Sequence, residues 1–158
     1  MHPNQNHAVS SELRIPANAV WLGGLGVVPF AASSAVAMLA SPKIAAHGEF
    51  ALLAYSAVIL SFLGGILWGR ILAFGSIEDI SKETRTLITS IVPSLIGWIA
   101  VLIGPGLGLP VLAMAFFLMM VTDLIHAKGN LFPAWYPKLR IPLTLAVIPL
   151  LLVPAVFG

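Results

Sequence analysis

The sequence predicts an all-α integral membrane protein, a bundle of five transmembrane helices, and three observations support this prediction. Of the 158 residues, 59% are apolar and only 9% are charged, whereas a soluble domain carries roughly a quarter charged residues. Five segments are long and apolar enough to cross a bilayer, which takes about 20 helical residues. The basic residues between these segments gather on one side. A soluble buried bundle is disfavoured, because the segments have almost no polar face.

The chain divides into a polar N-terminal tail and a transmembrane domain. The tail, residues 1–18, lacks the short apolar core of a signal peptide, and we expect it to be disordered. The transmembrane domain covers residues 19–158. Its predicted spans are 19–39, 50–70, 86–104, 109–127 and 141–157.

Residues that cannot continue inside hydrocarbon separate the spans. Pro42, Lys43 and Glu49 lie between the first and second spans, and a charged segment, residues 75–85, lies between the second and third. Residues 104–110 form an uncharged Gly/Pro stretch, which predicts a tight turn between the third and fourth spans. The last loop, residues 128–140, is basic and aromatic.

The lysines and arginines predict the orientation of the bundle. With five spans, seven of these eight residues fall on one side: Arg14, Arg70, Lys82, Arg85, Lys128, Lys138 and Arg140. Lys43 alone falls on the other side. Because basic loops stay in the cytoplasm, we expect a cytoplasmic (or matrix) N-terminus and a C-terminus on the opposite side. The expected location is the bacterial cytoplasmic (inner) membrane, or the mitochondrial inner membrane in a eukaryote.

Small residues recur along one side of the second span and predict close helix packing. Ala57, Ser61, Gly65 and Gly69 are spaced four apart, and Gly64 lies beside them. Small side chains at this spacing form a groove in which a neighbouring helix can lie closely. We therefore place the second helix at the centre of the bundle. Contact within the monomer is favoured, and a homodimer seam or a partner-binding groove is the alternative.

Asp123 is a carboxylate well inside the fourth predicted span. A charged residue at this depth is costly, so it is expected to face protein and to have a partner. We predict an ion pair with Arg70 or Arg140, in a cluster that also includes Trp135 and Tyr136. The alternative is a proton-coupled or ligand-binding carboxylate.

Proline residues near the middles of three spans predict bends in the helices. Pro29, Pro93 and Pro149 lie in the first, third and fifth spans. Each proline removes one backbone hydrogen bond and strains the preceding turn. We expect helix kinks at these positions.

The sequence predicts no catalytic, metal or cofactor site. Cysteine is absent, which excludes thiolate metal sites, iron–sulfur clusters and cysteine nucleophiles. The four histidines do not lie opposite one another at the middle of the membrane, so a bis-histidine haem is disfavoured. The scattered basic residues form no dense patch for nucleic acid.

Three stretches together resemble a known family. They are YSAVILSFLGGILWG at residues 55–69, VPSLIGW at 92–98 and PAWYPKLRIPLT at 133–144. They are similar to the transmembrane protein 69 family, also called domain of unknown function 3429, which has bacterial and mitochondrial inner-membrane members. The residues that match its motifs are Ser61, Phe62, Gly64, Gly65, Trp68, Gly69, Pro93, Ser94, Trp98, Trp135, Tyr136, Leu139, Arg140 and Thr144. The resemblance implies location and architecture and leaves the activity open.

The absence of a catalytic constellation and the short aqueous loops favour a non-enzymatic role. We expect a component that assembles or stabilises a larger membrane complex. The alternative is a small transporter or a lipid/quinone-binding protein that uses a polar pocket near Asp123, Arg70 and Arg140. The expected partners are the lipid bilayer and either another membrane protein or a second copy of the chain, without nucleic acid.

Overall fold

A computed structural model describes residues 14–74, 80–128 and 132–157. The described chain contains five helices: α1 (Ala17–Leu39), α2 (Pro42–Phe74), α3 (Ile80–Ile103), α4 (Pro105–Lys128) and α5 (Tyr136–Phe157). All five are long and apolar enough to cross a membrane, which confirms the predicted fold class. Most of the predicted disordered tail, residues 1–13, lies outside the described residues.

The helices extend beyond the predicted spans, most clearly in α2. This helix has 33 residues and is therefore about 50 Å long, compared with a hydrocarbon core of about 30 Å. It begins at Pro42, which suits the first helical position because an N–H is not needed there. Because α2 is longer than the hydrocarbon core is thick, polar residues in its first turns, such as Lys43 and Glu49, are helical although the sequence placed them in a loop.

A single residue separates α3 from α4. The uncharged stretch at residues 104–110 was predicted to be a turn, but only Gly104 lies outside a helix. Gly104 has a φ of +83°, a left-handed conformation that glycine adopts readily. Pro105 then starts α4, and the Gly108 N–H donates to the Gly104 carbonyl at 2.8 Å. The turn is therefore much tighter than the sequence indicated.

Helices α2 and α4 form the inner pair of the bundle. Helix α2 contacts α1, α3 and α4, and α4 contacts α2, α3 and α5. Helix α1 also contacts α5, which closes the ring of helices. The central position of α2 agrees with the small-residue pattern, while that of α4 was not predicted.

The interior is apolar, and large apolar side chains also cover the outer surface. Phe30, Leu60, Leu112, Phe116 and Leu151 belong to the buried core. The outer surface includes large exposed side chains: Leu22, Phe62, Leu72, Trp98, Leu107 and Val156. Lipid is the solvent in which such a surface is stable.

Glycines mark the closest approaches between helices. A Cβ on Gly64 would lie against the Ser90 carbonyl oxygen of α3, and Gly97 of α3 lies against Ala57 of α2. A Cβ on Gly48 would lie 2.6 Å from the backbone nitrogen of Ala37. These contacts allow backbones to approach closely, as helices in lipid require.

The predicted small-residue groove is divided between two sides of α2. Gly64 and Ala57 contact α3, and Ser61 is half-buried and donates to the Ala57 carbonyl at 2.8 Å. Gly65 and Gly69 are exposed, and a Cβ on either would meet nothing within 4 Å. Contact within the monomer therefore accounts for only part of the pattern.

The three prolines predicted to bend helices all lie within helices. Pro29 is inside α1, Pro93 is inside α3 and Pro149 is inside α5. Pro93 is buried, whereas Pro149 is exposed.

Candidate functional site

Four buried or half-buried polar residues lie on the inner sides of α4 and α5. Asp123 lies in the last turns of α4, and Tyr136, Arg140 and Thr144 follow one another at intervals of four along α5. Residues spaced by four share one face of a helix. This face of α5 therefore begins with three polar residues and continues with apolar core residues such as Val147 and Leu151.

A buried ion pair joins α4 to α5. Arg140 Nε donates to Asp123 Oδ2 at 2.8 Å, and the Tyr136 hydroxyl donates to the same oxygen at 3.4 Å. Asp123 is 1% exposed and Arg140 is 7% exposed. The pair is neutral as a whole, which a low-dielectric interior requires.

Of the two predicted partners for Asp123, the structure uses Arg140. Arg70 lies in the last turns of α2 and is half-buried. Trp135 and Tyr136 lie side by side, with their ring centroids 6.2 Å apart. The structure thus joins Asp123 to Tyr136 and Arg140, and Trp135 lies beside Tyr136.

Aromatic rings pack next to the ion pair at this end of the bundle, beginning with that of Tyr136. The Phe132 ring stacks on the Tyr136 ring at 4.6 Å between centroids, and the His126 ring contacts Phe132 edge-on at 6.4 Å. His126 Nδ1 lies 2.8 Å from the Thr122 carbonyl oxygen. The sequence analysis did not identify Phe132, although its place just before an aromatic pair was a usable signal.

Two polar atoms near the ion pair have no hydrogen-bond partner among the described residues. They are Arg140 Nη2 and Thr144 Oγ1, and both are buried. Thr144 as a whole is 1% exposed. A buried polar group without a partner costs about 1–3 kcal/mol. These two atoms are therefore candidates for hydrogen bonds to a ligand.

Both residues line a groove between α1, α2 and α5, which we name the lateral groove. Its inner recess has a volume of about 170 Å³, and its outer recess has a volume of about 400 Å³. Arg140 lines both recesses, and Thr144 lines the inner one. Leu22 and Phe62 at the rim are 71% and 66% exposed, so the groove opens toward lipid.

The remaining lining of the lateral groove is apolar or aromatic. The lining residues besides Arg140 and Thr144 are Ala19, Leu22, Gly23, Gly26, Val27, Phe30, Ile59, Phe62, Leu63, Ile66, Phe116, Tyr136, Leu139, Leu143 and Val147. Arg140 is the charged member of this set. An apolar cleft with a few convergent polar groups is the usual form of a small-molecule site.

Aromatic rings close the inner end of the groove. The Phe30 ring packs edge-on against the Tyr55 and Phe116 rings, at 4.9 and 5.8 Å between centroids. The Tyr55 hydroxyl donates to the Gly26 carbonyl at 3.1 Å and links α2 to α1. A Cβ on Gly26 would meet nothing within 4 Å, so the groove has free space beside this glycine.

A second recess, between α3 and α4, lacks free polar groups. It has a volume of about 200 Å³ and is lined by Pro93, Thr89 and Thr122 among others. The Thr89 hydroxyl donates to the Arg85 carbonyl at 2.8 Å, and the Thr122 hydroxyl donates to the Leu118 carbonyl at 2.9 Å. This recess therefore offers a ligand little beyond apolar contact.

Within the described residues, no three His, Asp or Glu side chains come together in a way that could hold a metal ion. The chemistry available in the lateral groove is hydrogen-bond donation from a guanidinium and a hydroxyl. Such groups bind and orient a molecule.

Comparisons with known proteins agree with this architecture. The chain is 29% identical over 136 residues to transmembrane protein 69 of Xenopus tropicalis, covering 84% of this chain and 51% of that relative. It is 28% identical over 146 residues to transmembrane protein 69 of Mus musculus, covering 90% of this chain and 57% of that relative. The chain thus spans little more than half the length of these curated relatives. No solved structure matches the chain.

The family model described as "Protein of unknown function (DUF3429)" matches residues 15–156, which include the lateral groove and all five helices except the last residue of α5. The resemblance seen in the three sequence stretches is thereby confirmed. The protein is a multi-pass membrane protein that belongs to the DUF3429 family.

Proposed function

We propose that the protein binds the head of an amphipathic, lipid-soluble molecule in the lateral groove. One observation carries this proposal: Arg140 and Thr144 line a groove whose rim is exposed to lipid, and Arg140 Nη2 and Thr144 Oγ1 are buried without partners among the described residues. A ligand that accepts hydrogen bonds from these atoms would remove the cost of burying them. Its apolar tail would lie against the exposed rim residues Leu22 and Phe62.

Binding accounts for the groove better than transport across the membrane does. The groove starts near the first turns of α1 and α5 and ends against the Phe30, Tyr55 and Phe116 rings. A transport path would have to continue beyond these rings. We therefore propose a binding role in place of the transporter alternative.

The replacement Gly26→Leu tests this function. Leucine favours a helix more than glycine does, and its side chain would extend into the free space beside Gly26. We expect the variant to retain roughly tenfold less of the bound molecule, because a steric conflict of about 1.4 kcal/mol lowers affinity tenfold. The measurement is mass spectrometry of the small molecules extracted from protein purified in mild detergent.

Gly24→Leu is the matched control for this replacement. Gly24 lies in the same helix and also has open space beside it, but it is exposed and does not line the groove. We expect this variant to retain the same molecule as the wild type. Equal retention by the two variants would refute the proposed function.

A role in the assembly of a larger membrane complex is the second candidate. The observation that favours it is the outward position of Gly65 and Gly69, which are spaced four apart and have open space beside them. A transmembrane helix of another chain could approach closely at such a surface.

The double replacement Gly65→Leu, Gly69→Leu tests the assembly role. If another helix packs on these glycines, two leucine side chains should separate the helices and abolish the interaction. The measurement is the amount of membrane protein that co-purifies in mild detergent, with Gly24→Leu as the control. A wild type that purifies as a monomer without a partner would exclude this candidate.

We also propose the orientation and location expected from the sequence. In element order, α1, α3 and α5 begin at one end of the bundle, where α2 and α4 end. Seven basic residues of the described ranges belong to this end: Arg14, Arg70, Lys82, Arg85, Lys128, Lys138 and Arg140. Lys43 belongs to the other end, and this asymmetry supports a cytoplasmic or matrix location for the basic end. The proposed membrane is the bacterial cytoplasmic membrane, or the mitochondrial inner membrane in a eukaryote.

A further inference from the structure

We infer that the lateral groove takes an uncharged para-quinone with an apolar tail, whose ring carbonyls accept hydrogen bonds from Arg140 Nη2 and Thr144 Oγ1. This inference rests on the proposed function and adds the chemical class of the ligand. Three properties of the groove lead to it: its local charge, the type and spacing of its free polar groups, and the size of its inner recess.

The local charge favours an uncharged ligand. Arg140 is the charged residue of the lining, and its charge is already balanced by Asp123 at 2.8 Å. An anionic headgroup would add a negative charge to this neutral pair, at a place with little access to water. Charge burial without a counter-charge is strongly unfavourable. A neutral acceptor avoids this cost.

The free polar groups favour two carbonyl oxygens. Arg140 Nη2 is a hydrogen-bond donor and cannot accept, and the Thr144 hydroxyl has one O–H that can donate to a ligand. The two residues are four positions apart in α5, which corresponds to about 6 Å between their Cα atoms along the helix axis. The two oxygens of a para-quinone lie on opposite sides of one ring, so a single headgroup offers one acceptor to each residue.

The size of the inner recess favours a single ring over a branched glycerol headgroup. A cavity of about 150 Å³ is enough for a benzene ring, and the inner recess has a volume of about 170 Å³. Gly26 of α1 and Phe62 of α2 both line this recess, so a flat ring finds a wall position without a side chain and a phenyl ring. The tail can leave toward lipid through the outer recess.

Thr144→Val is the decisive variant, because it removes the hydroxyl and keeps the shape of the side chain. The full-length protein in detergent is titrated with three probes: a decyl-substituted para-benzoquinone, dioctanoylglycerol and dioctanoyl phosphatidic acid. We expect the wild type to bind the quinone most tightly. Loss of one hydrogen bond should weaken quinone binding by about fivefold to tenfold in the variant.

Thr122→Val is the matched control. The Thr122 hydroxyl donates to the carbonyl of Leu118 in its own helix, and the residue does not line the lateral groove. We expect its quinone affinity to stay within about twofold of the wild type. Thermal unfolding of both variants provides a second measurement. Thr144→Val should be as stable as the wild type or more stable, since it removes a buried group without a partner.

Several results would overturn the inference about the quinone. They are a lack of quinone binding, tighter binding of phosphatidic acid or of dioctanoylglycerol, and an unchanged quinone affinity in Thr144→Val. Tighter binding of either lipid would leave the proposed function intact and change the headgroup. Equal retention of co-purified molecules by Gly26→Leu and Gly24→Leu would instead refute the function itself.

Discussion

Replacement of Asp123 by leucine is expected to lower the free energy of unfolding by about 3–5 kcal/mol, because it leaves the buried Arg140 guanidinium without its counter-charge. Arg140→Met should have a similar effect, since it leaves the Asp123 carboxylate, which is 1% exposed, without its arginine. Unfolding in mixed micelles with increasing denaturing detergent measures both values. A loss of this size is a large part of the total free energy of unfolding of a typical domain, which is about 5–15 kcal/mol.

The double variant Asp123→Leu, Arg140→Met distinguishes the loss of the whole ion pair from the burial of one unpaired charge. Because it removes both charges together, we expect its stability to lie within about 1 kcal/mol of the wild type. Tyr136→Phe gives a graded comparison, with an expected loss below about 1 kcal/mol, since its bond to Asp123 is long at 3.4 Å. A double variant as unstable as the single ones would contradict the assignment of the ion pair as the link between α4 and α5.

A quinone-type ligand would not have to break the bond between Arg140 and Asp123. Arg140 donates from Nε to Asp123, and its Nη2 has no partner among the described residues, so Nη2 is the atom we assign to the ligand. The structural bond and the binding bond therefore come from different atoms of one guanidinium, whose planar shape fixes their directions. In Arg140→Lys a single nitrogen would have to serve both Asp123 and the ligand, because an ammonium group has no second nitrogen.

The number of helices was predictable because the apolar segments have the length of a bilayer and are separated by residues that need water. The helix ends were less predictable. Residues such as Lys43 and Glu49 are compatible with both a loop and a helix outside the hydrocarbon, and α2 continues through them. Gly104 ends α3 by itself because its left-handed backbone reverses the chain in one residue, and sequence alone could not distinguish this from a longer turn.

The candidate site was predictable in part for a similar reason. The presence of Asp123 within an apolar segment required a partner, and Arg140 was one of two residues near the same end. Choosing between Arg140 and Arg70 required the packing of α4 against α5, which no local pattern contains. A polar pocket near Arg140 was an alternative in the sequence analysis, but the lateral groove itself was not predicted, because Gly26, Phe30 and Thr144 lie on two different helices and share no spacing.

The small-residue pattern of α2 shows the same limit. Helix α2 is apolar around its circumference, so a spacing of four identifies a stripe of small residues but not the neighbour it faces. The stripe winds around the helix as it continues, since four residues exceed one turn of 3.6. Ala57 therefore lies against Gly97 of α3, whereas Gly65 and Gly69, two and three steps further, face outward.

Adjacent glycines in α2 should respond to the same replacement in opposite directions. Gly64→Ala places a Cβ against the Ser90 carbonyl oxygen and close to Pro93. The obstacle is the backbone of α3, which cannot rotate away as a side chain would. We expect a loss of about 1–3 kcal/mol in the free energy of unfolding, as α2 and α3 move apart.

Gly65→Ala is the natural control because it makes the same chemical change one residue later. Its Cβ would meet nothing within 4 Å, and alanine lowers the entropy that the helix loses on folding. We expect a gain of up to about 1 kcal/mol, again by unfolding in mixed micelles. The sign of the difference tests the packing directly: if Gly64→Ala were as stable as Gly65→Ala, α2 and α3 could not approach at Gly64 as described. The assembly role predicts a different result for Gly65→Ala in an intact complex. If a partner helix packs on Gly65, the added methyl group should destabilise the complex, although it stabilises the isolated protein.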